Sequence, residues 1–235
     1  MELLIGTSGY SYRAWRRGFY PKGLAPRDML QFYGEHLPAV EINATFYGLP
    51  RPGGLAAWAG QVGPGFRFAL KAPRTITHLA PLLGKEKAVA SFFERAAFLG
   101  DRLGAVLIQL PPSFPKNRPL LEGFAELLPG SLPIAFEFRH PSWLDDGIYE
   151  ILHRHGWALC WTDGDREELG RFVPTADWGY LRLRRRSYPE AALRGWARTI
   201  LSQEWRAVFA FFKHEESGAG PAFAKRLLEL CRAAQ

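Results

Sequence analysis

Cysteine is nearly absent, with only Cys160 and Cys231 in 235 residues. They lie far apart in a chain whose Met1 leads almost at once into Leu3-Leu4-Ile5-Gly6, without a basic leader or an apolar signal core. A disulfide framework is therefore excluded, and two reduced, buried thiols in a cytoplasmic protein are expected. Long apolar runs are missing as well. No stretch approaches the roughly 18 consecutive apolar residues of a membrane helix, so no membrane association is expected. Asparagine occurs only at Asn43 and Asn117, a scarcity of thermolabile amides that fits a heat-adapted source. Gly6-Thr7-Ser8-Gly9 has neither the G-x-G-x-x-G nor the P-loop spacing, and Ser8 and Ser11 lack the G-x-S-x-G elbow. Dinucleotide-type phosphate loops and a hydrolase-type nucleophilic serine are thus unsupported.

What remains is ordinary globular material, 47% apolar and 23% charged, enough to build a sizeable core. The net charge is +7, and the basic residues are spread along the chain, densest at Arg182, Arg184, Arg185 and Arg186. Such a balance favours an anionic partner without marking a basic tail.

Short β-branched or aromatic runs predict strands at Leu3–Thr7, Ala39–Asn43, Phe66–Lys71, Ala105–Leu110, Ile134–Arg139, Ala158–Asp163, Tyr180–Arg184 and Val208–Lys213. Continuous apolar runs such as Ala105-Val106-Leu107-Ile108 suit strands buried on both faces, as in parallel sheets. Helical spacing appears in Pro26–His36 (Met29, Leu30, Tyr33), Lys87–Leu99 (Ala88, Phe92, Ala96, Leu99) and Arg118–Leu128 (Leu120, Leu121, Phe124, Leu127). A last helix carries Phe223, Leu227, Leu228 and Cys231. Strands alternating with helices predict an α/β fold, a (β/α)8 TIM barrel in one domain over residues 1–235. The weak link is Gly164–Trp178, too polar and too interrupted by Pro174 to predict a sixth helix. An open doubly wound sheet is the alternative, and it lacks its glycine-rich loop.

The apolar runs close in polar residues: Thr7-Ser8, Glu41 and Asn43, Lys71, Gln109, Glu137 and Arg139, Thr162-Asp163, Arg182 and Arg184, Lys213-His214. The period of two puts Glu41 with Asn43, Glu137 with Arg139 and Arg182 with Arg184 on common faces. In a barrel, these strand ends converge on one cleft. Polar residues also mark where any strand leaves its core, and Glu137–Arg139 could be a buried structural ion pair. As a site, the set reads as cationic: Lys71, Arg139, Arg182 and Arg184 against Glu41, Glu137 and Asp163. Guanidinium forks match phosphate or carboxylate oxygens, so a small anionic ligand is expected on Lys71, Arg139 and Arg182. Candidate catalytic groups are Glu41 or Glu137 as acid and base, Lys71 as electrostatic stabiliser, and Asp163. Three carboxylates could hold Mg²⁺ or Mn²⁺, but no H-E-x-x-H or cysteine cluster supports a metal, and no cofactor is otherwise implied. His78 and His140 lie near strand ends. Aromatics beside them, Trp15, Tyr47 and Trp143 among others, could stack on a ligand or merely pack loops. Basic and aromatic residues together keep nucleic acid as an alternative partner, and the oligomeric state is not specified by the sequence.

Five segments carry a family resemblance. Gly6–Tyr10 with Trp15 and Phe19-Tyr20-Pro21 is similar to the opening signature of the YecE-like family, domain of unknown function 72. VEINATFYGLP at Val40–Pro50, FALKAPRTITH at Phe68–His78, IQLPPSF at Ile108–Phe114 and FEFRHPSW at Phe136–Trp143 follow in the same order. The resemblance implies a TIM barrel and supplies no reaction. Its motif positions here include Ser8, Trp15, Glu41, Asn43, Tyr47, Lys71, His78, Gln109, Glu137, Arg139, His140 and Trp143, with Asp163 and Arg182 at weaker ones. The last third departs: relatives carry His-Gly after the seventh strand's Arg, where this chain has Leu183-Arg184-Arg185. They also end the eighth strand in an Asn-rich stretch, against Phe212-Lys213-His214 here. A cleft more cationic than its relatives' is the expectation. The functional expectation is a hydrolase or lyase acting on a phosphorylated or carboxylated ligand. The alternatives are a metal-assisted phosphodiesterase acting on nucleic acid and a non-catalytic anion-binding or partner protein.

Overall fold

The apolar runs become strands because both of their faces are covered, one by neighbouring side chains inside a barrel and the other by helices. A computed structural model describes residues 1–164, 167–168, 172–214 and 218–235. Its strands are β1 (Glu2–Ser8), β2 (Ala39–Ile42), β3 (Arg67–Lys71), β4 (Leu103–Leu110), β5 (Ile134–Phe138), β6 (Ala158–Gly164), β7 (Glu167–Glu168), β8 (Trp178–Leu183) and β9 (Ala207–Phe212). The order β5-β4-β3-β2-β1-β9-β8-β6 closes through a β5–β6 pairing. All eight barrel strands pair in parallel, and β7 only adds a short antiparallel hook to the end of β6. This is the expected (β/α)8 barrel, with predicted strand ends shifted by one or two residues.

Helices supply the outer layer. Pro26–Asp28 forms a tight turn that leads into α1 (Met29–His36), which buries Met29, Leu30 and Tyr33 as expected. The sequence signals also become α4 (Glu86–Ala96), α5 (Arg118–Ala125) and α8 (Ala219–Arg232). Asn117 caps α5 by accepting from the Leu120 amide. In α4 the inward residue is Val89 rather than the expected Ala88, with Phe92 and Ala96 beside it. The structure adds α2 (Pro52–Gly60), α3 (Arg74–Thr77), α6 (Asp146–Arg154) and α7 (Glu190–Leu201). Between β6 and β8, residues 172–177 form no helix, and the rest of the weak link falls partly outside the described residues. Among the described residues, no helix is long and apolar enough to cross a membrane.

The barrel interior is layered. Six strands contribute alanine to one buried cluster (Ala39, Ala69, Ala105, Ala135, Ala158 and Ala207), and Leu4, Trp178 and Phe209 fill the room these leave. Leu107, Cys160, Tyr180 and Phe211 join the same cluster. Two residues further along the same alternating faces stand Glu41, Lys71, Gln109, Glu137, Thr162 and Arg182. The packed floor therefore forces the polar residues to the carboxyl-terminal mouth.

Candidate active site

Arg182 occupies the centre of the mouth and is 1% exposed. Its NH1 donates to Glu137 Oε2 at 2.7 Å and its NH2 to Glu41 Oε1 at 2.8 Å. NH2 also reaches Asn43 Oδ1 at 3.3 Å. Each carboxylate is then filled from other directions. Glu41 accepts from Ser8 Oγ at 2.7 Å, Asn43 Nδ2 at 3.1 Å and Tyr180 OH at 2.8 Å. Glu137 accepts from Gln109 Nε2 at 2.8 Å and Thr162 Oγ1 at 3.4 Å, and pairs with Arg139 NH2 at 2.5 Å. The Glu137–Arg139 ion pair suspected from the alternation is present, but Arg182 is the cation that joins both acids.

Both carboxylates are wholly buried. Burial alone would raise their pKa values, yet Arg182 and the neutral donors more than reverse this for Glu41 and hold it below the usual carboxylate range. For Glu137, the charges of Arg182, Arg139 and Arg184 bring the value down to about 2 against burial. Arg182 is held charged by the two acids despite its own burial. A carboxylate that is ionised and filled with donors has no proton to give at neutral pH, which argues against the expected acid role for Glu41 or Glu137. The two terminal nitrogens of Arg182 are equally committed to the acids and Asn43, and among the described residues only its buried Nε–H is left without a hydrogen-bond partner.

Lys71 is arranged differently. Thr45 Oγ1 donates to the Lys71 carbonyl at 2.7 Å, fixing the turn Ala44–Phe46 beside the end of β3. That turn places the Phe46 ring under the ammonium, with Nζ 4.1 Å from the ring centroid. His78, tied through Nδ1 to Thr77 Oγ1 at 2.8 Å, meets the same ring edge-on. Among the described residues no carboxylate lies within ion-pair distance of Lys71 or Arg184. Burial and then the Arg182 charge lower the Lys71 pKa to about 8. Burial and the Lys71 charge also lower His78. Arg184 is half-buried and depressed by burial and by Arg182.

Other expected site residues lie elsewhere. Asp163 follows Thr162 and so faces away from the barrel interior. It accepts from Tyr188 OH at 2.5 Å, Trp196 Nε1 at 3.2 Å and the Arg184 amide at 2.9 Å, and it pairs with Arg185 at 3.2 Å. Trp15 and Trp143 are fully buried. Their indole N–H groups donate to the His214 and Phe114 carbonyls, and Trp143 stacks on Phe138, so both brace loops rather than face a ligand. His140 is bonded to Ser142 and helps cap the turn at Pro141–Trp143. Tyr47 is 79% exposed beside the mouth. The H-x-H of this chain, His153 and His155, sits at the end of α6, where His155 stacks on Trp157. Among the described residues no three His, Cys, Asp or Glu gather as a metal site. The separation of Asp163 from Glu41 and Glu137 is the reason the three carboxylates do not converge. Thr162 joins the cage from a strand end expected at the mouth, whereas Tyr180 is not among the expected site residues, although it shares the alternating inner face of Arg182.

Residues 4–235 match the family described as "Protein of unknown function DUF72". The chain belongs to the DUF72 family. UPF0759 protein YecE of Escherichia coli (strain K12) is 35% identical over 160 residues, covering 66% of this chain and 56% of that protein. The match therefore spans little more than half of that relative. UPF0759 protein YunF of Bacillus subtilis (strain 168) is 26% identical over 273 residues, covering 97% of this chain and 94% of YunF. A crystal structure of a DUF72 family protein from Thermotoga maritima MSB8 superposes with a TM-score of 0.82 at 24% identity, covering 100% and 99% of the two chains. One from Enterococcus faecalis V583 gives 0.82 at 20% identity, over 98% and 95%. At these identities the DUF72 structures establish the shared barrel.

Proposed function

We propose that this DUF72 barrel is an enzyme of hydrolase or lyase type that binds a small phosphorylated or carboxylated ligand at its carboxyl-terminal mouth. One observation carries the reading. The mouth's two acids are already neutralised by Arg182 and Arg139, whereas Lys71 and Arg184 face them with no carboxylate of their own among the described residues. Unbalanced cations beside a low-dielectric wall attract anions strongly, and Arg184 can offer a fork while Lys71 offers a point charge. Glu41 and Glu137 then act as the fixed frame of the site, and Lys71 is the group that gives or takes a proton near neutral pH. Within this reading a small molecule is favoured over a nucleic acid, because the two cations lie together in a mouth and not along an open face.

Calorimetry with inorganic phosphate, pyrophosphate, a sugar phosphate and a tricarboxylate tests it. Lys71→Met and Arg184→Met are each expected to weaken binding by about tenfold or more, without lowering the melting temperature of the free protein. Binding should also fade as pH rises through about 8, where Lys71 loses its charge. A parent protein that binds none of the four anions would leave the barrel mouth as a purely structural cage.

A further inference from the structure

We propose that Lys71 is a nucleophilic amine that forms an imine with an aldehyde or ketone carbonyl of the ligand, while Arg184 holds that ligand's phosphate or carboxylate. This deepens the anion-binding reading and rests on it. A lysine becomes a carbonyl nucleophile when it is partly desolvated, lacks an anionic partner and stands near other cations. Lys71 meets each condition. Its backbone is pinned by Thr45, its Nζ lies on the Phe46 ring, and no carboxylate pairs with it among the described residues. Among the described residues, four charged groups act on it most strongly. Arg182 from β8 and Arg184 just beyond its end favour the neutral amine, and Glu41 from β2 and Glu137 from β5 oppose them. The acids are spent on Arg182, so burial and the cations prevail. His78 shares the Phe46 ring and interacts electrostatically with Lys71 from the end of α3.

The step balances without an oxidant or reductant. The amine nitrogen attacks the carbonyl carbon, a C–N bond forms, and the carbonyl oxygen takes up a proton to give a carbinolamine. The hydroxyl, which carries the proton given up by nitrogen, takes a second proton from solvent. The C–O bond then breaks, water leaves, and nitrogen keeps its remaining proton as the iminium. The resulting cation withdraws electrons from the adjacent carbon, which is the chemistry a lyase acting on a phosphorylated carbonyl compound requires. An ordinary surface lysine, fully charged at neutral pH and solvated, performs this step slowly.

The probe is pyridoxal 5′-phosphate, an aldehyde bearing a phosphate, applied to the full chain at neutral pH and trapped by borohydride before peptide mapping. Lys71 is expected to take at least about tenfold more label than Lys22, Lys85, Lys87, Lys116, Lys213 or Lys225. Inorganic phosphate should protect it, pyridoxal without phosphate should label it less, and Arg184→Gln should reduce its labelling. The rate at Lys71 should rise through about pH 8, well below the range of exposed lysines. Labelling spread evenly over the seven lysines would overturn the imine, and if phosphate still bound by calorimetry the anion site would stand without it. Neither labelling at Lys71 nor phosphate binding would overturn both.

Discussion

Arg182→Met is expected to lower unfolding stability by about 3–5 kcal/mol at neutral pH, because it leaves buried carboxylates without their shared cation. Glu41 suffers most. Its described ion pair is with Arg182 alone, whereas Glu137 keeps Arg139. The pH dependence should change sign. In the parent, Glu137 titrates near 2 when folded, against an ordinary value of 4.5. Its stabilisation is therefore complete above about 4.5 and is lost as pH falls toward 2. Glu41 contributes in the same direction. Without Arg182, burial raises Glu41 instead, so its charged form opposes folding and protonation relieves it. The deficit of the variant should thus shrink between pH 7 and the acid range. Urea unfolding at several pH values, followed by tryptophan fluorescence, reads both effects. Adding Glu41→Gln to Arg182→Met should restore part of the loss. A pH-independent deficit below about 1 kcal/mol would show that the cage contributes little to folding.

Gly6→Ala should be as damaging, by a steric route. Where β1 meets β2, Gly6 stands in register with Ala39. The Tyr33 hydroxyl is wedged between the strands, accepting from the Thr7 amide and donating to the Ala39 carbonyl, each at 2.9 Å. A Cβ on Gly6 would lie 1.8 Å from the Ala39 oxygen and 2.9 Å from the Tyr33 hydroxyl. Backbone cannot yield by that much within a closed barrel, so the strands must part and the wedge is lost. Overpacking plus two unsatisfied buried groups implies a loss upward of about 3 kcal/mol. Thermal unfolding, or recovery of folded protein after expression, measures it. Near-parental stability would mean that the β1–β2 junction relaxes more freely than its hydrogen bonds suggest.

The barrel was legible because its strands are continuous apolar runs, and two-sided burial leaves few other readings for Ala105–Ile108 or Val208–Phe212. Helices were harder. PGGLAAWAG in α2 has glycines and no polar stripe, so its helix forms mainly through the packing of Leu55 and carries little periodic signal. In the site, alternation placed Glu41 and Glu137 on inner faces from the sequence alone. Their partner could not be read in the same way, since Arg182 is 141 residues from Glu41 and meets it only after the barrel closes. That pairing engages both terminal nitrogens of Arg182, which is why the proposed ligand contacts fall to Lys71 and Arg184. Asp163 shows the opposite limit: it shares a strand end with Thr162, and one residue of offset turns it outward to Tyr188 and Trp196. Trp15 and Trp143 lie in segments that resemble a family signature, yet a signature serves packing as readily as chemistry.

The closing seam gives the cage a second meaning. β1 and β9 run together from Glu2–Thr7 against Ala207–Phe212, but β5 and β6 are in register only from Ala135–Phe136 to Ala158–Leu159. Above that short ladder, the bridge from β5 to β6 is Glu137 to Thr162, and Arg182 ties the same carboxylate to β8. A cylinder breathes first where its staves are least joined. Amide deuterium uptake should therefore begin along this line, and the ion cluster would serve as the hoop that keeps the cylinder shut.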